Sequence, residues 1–193
     1  MRSALLVRLG LVSAVAALAG AGALAQSPAA QQPVSGGHKH YTPPERDVPN
    51  QAGQIAPRLQ NVGKYVFPTS TKNARAQLFI NQGVNLSYAF NHAESGRAFR
   101  EAARLDPSLA IAYWGQALVL GPNINAAMEA ADEGPAYAAI QKAVSMKDIA
   151  SPREQAFIDA LAQRYTGKPE DRVGRDRAYA EAMRAVYKKF PAD

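Results

Sequence analysis

The chain has 193 residues, 47% of them hydrophobic and 20% charged, with a formal net charge of +6 and no cysteine. That length suits one folded domain plus extensions, and the missing thiols exclude disulfide staples, thiolate metal sites and thiol catalysis. The basic excess is scattered and follows no aromatic stripe, which argues against nucleic acid as a partner.

Residues 1–25 place Arg2 and Arg8 before an apolar run from Leu9 to Leu24, closing on Ala23-Leu24-Ala25. This is the pattern of a cleavable secretory signal. The run is too short and Gly-rich for a membrane anchor, so no stable membrane insertion is expected after cleavage. Removing two arginines and no acid takes the net charge from +6 to +4. The Ala-rich leader has a bacterial look and implies a periplasmic or secreted product.

Residues 26–70 hold frequent Pro and Gly and no sustained period, which predicts a flexible or extended arm. Within it, Lys64–Pro68 reads as a short extended segment able to lie along the first helices. Thr69, Ser70 and Thr71 are N-cap candidates for a helix over about 72–90.

Residues 71–193 carry the helical pattern. Phe79, Gly83 and Leu86 fall on one stripe. Asn91 offers a cap with Glu94 three residues on, and a second stripe runs through Ser95, Phe99 and Ala102 to Asp106-Pro107. Gly83 and Ser95 are small where two antiparallel helices cross, with Phe79 and Phe99 large on either side. Tyr113, Ala117 and Leu120 lie 34 residues after Phe79, Gly83 and Leu86, so the pair recurs and Phe79 and Tyr113 are expected in equivalent environments.

The second repeat then departs. Leu120 to Ala136 spans 16 residues where Leu86 to Ser95 spans 9, leaving 16 − 9 = 7 extra. Gly121-Pro122 stops the helix, Asn125 is a candidate cap for a short turn, and Gly134-Pro135 restarts it toward Ala136, Ile140 and Ala143. Ser151-Pro152-Arg153-Glu154 predicts a capping box before Ile158, Leu161 and Tyr165. A last helix over about 176–189 carries Tyr179, Met183 and Val186, with Ala178, Ala182 and Ala185 as an alternative stripe.

A 34-residue period with this order of aromatic, small and Pro positions resembles the tetratricopeptide repeat family. The departures are Phe79 for the usual Trp and Gln82 for the usual Leu. Phe67-Pro68-Thr69-Ser70, Phe90-Asn91-His92-Ala93-Glu94 and Ala112-Tyr113-Trp114-Gly115 further resemble a group of exported bacterial proteins of that family. Members carry Cys near Thr71 and Leu109, so no disulfide or thiol role transfers. The resemblance implies an all-α fold: a short solenoid of about three helix pairs behind an extended or disordered arm. The final Phe190-Pro191 then corresponds to a connector between repeats. Since arrays normally carry a polar cap, the chain is expected to be an N-terminal portion of a longer one.

The resemblance also implies a concave groove lined by Ile80, Asn81, Val84 and Tyr88, then Trp114, Gly115 and Leu118, taking another protein or an extended peptide. Chemistry is sparse elsewhere. There is no phosphate loop, GxSxG elbow or HExxH, so no enzyme and no cofactor is expected. His38 and His40 offer an incomplete copper or zinc site, the alternative being periplasmic metal handling. His92 is expected to pack or bond locally.

Overall fold

Asn73 sets the register of the first helix. Its side-chain oxygen accepts from the Arg75 and Ala76 N–H groups at 3.0 and 3.2 Å, satisfying two donors that a helix start leaves open. The expected caps serve otherwise: the Thr71 hydroxyl donates to Asp106 at 2.6 Å and accepts from the Asn73 N–H.

The structure is a computed structural model describing residues 49–168 and 170–191. It contains α1 (Ala74–Tyr88), α2 (His92–Leu105), α3 (Ala110–Leu120), α4 (Glu133–Val144), α5 (Pro152–Ala162) and α6 (Arg172–Lys189), with 3-10 turns at Ala130–Asp132 and Lys147–Ile149. There is no β-strand among the described residues, so the fold is all-α. The expected signal peptide, most of the expected arm, and His38 and His40 lie outside the described residues. Consecutive helices pack as hairpins, α1 on α2, α3 on α4 and α5 on α6, with α2 also against α3 and α4 against α5.

Phe99 is the wedge of the first hairpins. It is fully buried, and a Cβ on Gly83 would come within 2.8 Å of its ring while one on Gly115 would come within 2.3 Å. Two glycines from different helices therefore leave the space one aromatic fills. Ser95 Oγ donates to the Gly83 carbonyl at 2.6 Å, tying the crossing. Across the 34-residue repeat, Gly83 and Ala117 are both buried, as are Leu86 and Leu120, but Phe79 is buried where Tyr113 is only partly so. The Tyr113 hydroxyl reaches the Pro107 carbonyl, and Lys142 Nζ lies 5.9 Å from its ring. The core place is taken by its neighbour, Trp114.

Residues 55–70 form a strap over the first hairpin. Asn85 donates to the Tyr65 carbonyl, Asn81 accepts from the Phe67 N–H, and Gln77 both donates to the Phe67 carbonyl and accepts from the Thr69 N–H, all at 2.8–3.0 Å. The spacing explains itself. Four helical residues rise about 6 Å and two extended residues about 6.6 Å, so amides at 77, 81 and 85 meet strap residues 69, 67 and 65 in step. Farther back, Gln82 holds Pro57 and Leu59, while Arg97 and Glu101, again four apart, hold the Ile55 carbonyl and N–H.

The third hairpin is built differently. The Ser151–Glu154 capping box is present, and Glu154 also accepts from the Ser70 N–H at 3.1 Å, fastening the strap to α5. Beyond Gly121, Asn123 rather than Asn125 supplies the side-chain bond, accepting from the Asn125 N–H. The last helix starts at Arg172, earlier than the stripe indicates, because Asp171 caps it from a left-handed conformation (φ 51°). Buried Glu133, in the first turn of α4 where the helix dipole favours a carboxylate, accepts from the Thr166 and Gly167 N–H groups and pairs with Arg172 and Arg175.

Candidate functional site

Side chains spaced four apart on one helix face the same way, and three helices present such pairs to a common space. From α1 come Val84 and Tyr88, with the amide of Asn85 beside them, from α3 Trp114 and Leu118, and from α6 Tyr179, Met183 and Tyr187, with Val186 beside them. The strap adds Tyr65 and Phe67, and α5 adds Phe157. They enclose a cavity of about 450 Å³ with no Lys, Arg, His, Asp or Glu in its lining.

Trp114 forms the inner wall. It is 4% exposed, stacked on Phe67 at 5.7 Å between ring centroids with an interplanar angle of 16°, and met edge-on by Phe157 and Phe99. The Arg153 guanidinium lies 4.1 Å over Phe67 and donates to the Pro68 carbonyl, so the aromatic stack ends in a cation–π contact. The Trp114 indole N–H is buried without an acceptor, an uncommon state for an indole at this depth.

Polarity returns at the edges. Tyr88 is 81% exposed and Tyr187 64%, marking the mouth. Tyr179 is sunk deeper, under the Arg164 guanidinium at 4.8 Å. Burial pushes its hydroxyl above the usual phenol range, the nearby Arg164 charge working the other way. It therefore stays protonated through neutral pH, a hydrogen-bond donor rather than a base.

Of the groove residues named from sequence, Val84, Tyr88, Trp114 and Leu118 come together here. Ile80 is fully buried and does not reach the cavity. Asn81 is engaged by Phe67 of the strap and by Gln77, and Gly115 lies against the Phe99 ring. The residues not foreseen as site residues are Tyr65, Phe67, Phe157 and the α6 set. Tyr179, Met183 and Val186 do form a visible stripe, but nothing local says which surface that stripe meets.

His92 Nδ1 lies 3.4 Å from Asn123 Nδ2, linking the α1–α2 turn to the long α3–α4 loop. Phe90, in that turn, holds a left-handed conformation at φ 58°. No group of three or more metal-ligating side chains occurs among the described residues. No helix among them is long and apolar enough to cross a membrane. No protein family, curated protein or solved structure matches the chain.

Proposed function

We propose that the chain is an exported, non-catalytic binding module of tetratricopeptide type, which docks a protein partner on the aromatic face around the cavity. One observation carries this reading. Val84, Tyr88, Trp114 and Leu118, from two helices, converge on a single mainly apolar surface whose lining has no Lys, Arg, His, Asp or Glu. It suits the burial of apolar side chains, with exposed tyrosines as amphipathic anchors at the rim. The match of buried small and large residues at Gly83/Ala117 and Leu86/Leu120 supports the repeat assignment, and Tyr113 makes the second unit irregular.

The α1 amides that read an extended backbone already hold residues 65–69 of the same chain. The partner's contact is thereby assigned to the surface that Val84 and Tyr88 share with the strap, α3 and α6. Tyr88→Ala tests this, because the residue is exposed at the mouth and its loss leaves the core intact. In the exporting cell, cross-linking through wild-type protein is expected to recover a partner that Tyr88→Ala loses at equal protein level. Equal recovery by both would overturn the reading.

A further inference from the structure

Packed interiors contain few voids larger than a water molecule, and an apolar cavity of about 150 Å³ already suffices to hold benzene. The space beside Trp114 is about 450 Å³, within the range of about 300–1,000 Å³ that small-molecule pockets occupy. Its walls come from five parts of the chain: the strap, α1, α3, α5 and α6.

The lining also states what the occupant is. No cationic or acidic side chain lines this space, and the nearest guanidiniums, Arg153 and Arg164, lie over the Phe67 and Tyr179 rings and bond the Pro68 carbonyl and Asp176, so an ion entering it meets no direct counter-charge. Tyr65, Tyr88, Tyr179 and Tyr187 line this space, each carrying a phenol hydroxyl. A phenol donates and accepts hydrogen bonds, so these hydroxyls beside an apolar floor favour oxygen-bearing groups on a hydrophobic body. We propose that the cavity between α6 and the Trp114 wall is a binding site for an uncharged small molecule with an aromatic or alicyclic body and carbonyl, ether or hydroxyl oxygen at its edges. The proposal rests on reading this cavity as a binding site and adds a ligand that does not depend on the protein partner.

The test uses the full chain and Nile red, an uncharged planar dye with carbonyl and ether oxygens. Trp114 is the only tryptophan, so its fluorescence reports from the cavity itself. Saturable one-site binding is expected, with blue-shifted dye emission and quenching of Trp114. The anionic dye 8-anilinonaphthalene-1-sulfonate is expected to bind at least tenfold more weakly. Leu118→Phe with Met183→Phe narrows the space from two walls and is expected to weaken Nile red at least tenfold with helical circular dichroism retained. Ile149→Ser, which removes an exposed apolar side chain outside the lining, is expected to change nothing. The proposal is overturned by the absence of saturable binding, by dye bound without quenching of Trp114 in the wild-type chain, or by equal affinity for the anionic dye. Equal affinity in a folded double variant, or an equal loss in Ile149→Ser, overturns it as well. The wild-type quenching measurement decides the matter if the double variant does not fold. Lost dye binding with partner recovery intact refutes this inference alone, whereas dye binding with partner recovery unaffected by Tyr88→Ala refutes only the docking reading.

Discussion

The first and third hairpins solve the same problem with opposite means. Between α1 and α2 the backbones close up: Ser95 bonds the Gly83 carbonyl, and Phe99 fills the space that Gly83 and Gly115 leave. In the third hairpin the start of α6 is held by charge, to the first turn of α4 and the loop after α5. Glu133 gathers Arg172, Arg175 and two backbone N–H groups, while along the rest of α6 only Val186 is buried. An apolar contact excludes space over its whole length, whereas an ion-pair cluster fixes one point and leaves the remainder free to stand off. The cavity is what that stand-off encloses.

Removing the wedge should have the largest effect. Phe99→Ala deletes a fully buried ring shared by α1, α2 and α3 and is expected to cost about 3–5 kcal/mol. Urea unfolding should show the loss in every probe at once, and a loss confined to α2 would break the claim that the ring serves both hairpins. Glu133→Ala strands Arg175 in a buried place. The expected cost is about 3 kcal/mol, the low end for a broken buried pair, because Arg172 keeps 24% of its side chain in water. Hydrogen exchange should locate that loss in residues 166–189 with α1 and α2 still protected. Uniform deprotection would mean that α6 is as integral as the first hairpin.

The contrast also sorts what sequence reveals. The Gly83–Ser95–Phe99 crossing and the Ser151–Glu154 box are legible because their partners lie one helical period or one capping interval apart. Val84, Tyr88, Trp114 and Leu118 are legible as face residues through their spacing of four. The strap and the α6 wall are not. Asn81 reads as a groove residue until the N–H of residue 67, fourteen positions earlier, donates to its oxygen. Ile80 shares the spacing of four with Val84 and Tyr88, yet it is fully buried and does not line the cavity, because periodicity gives the face of a helix and not how deeply each turn is covered. Nothing in the sequence around Glu133 marks it as buried, because Arg175, its partner, is 42 residues distant.

A smaller change sharpens the packing half of the comparison. Gly115→Ala keeps every hydrogen bond but sets a methyl 2.3 Å from the Phe99 ring, and overpacking of this kind costs about 1–3 kcal/mol. Gly134→Ala, where an added Cβ meets nothing within 4 Å, is the control and should be neutral or slightly stabilising in thermal unfolding.

The smallest effect concerns the strap, which covers the well-packed hairpin by polar contacts alone at Ile55. Glu101 has no exposed surface, accepts from the Ile55 N–H at 2.8 Å, and is bridged to Arg104 by two bonds. Burial pushes its carboxyl up, but the bonds from Arg104 and the Ile55 N–H outweigh that and hold it below the ordinary carboxylate range. A carboxyl depressed on folding stabilises fully above its unfolded value of about 4.3, and that contribution disappears as pH falls through the lower folded value. Wild-type stability should therefore drop below that pH more steeply than that of Glu101→Gln. At neutral pH the variant should be weaker by about 1 kcal/mol, the worth of a typical hydrogen bond. Exchange of the Ile55 amide should rise in the variant, while amides inside α2 keep their protection. Because Asp106 and other acids titrate in both proteins, the difference between the two curves belongs to Glu101. Parallel curves would place the strap's anchorage in Gln82, Asn81 and Gln77 instead, whose amides do not titrate.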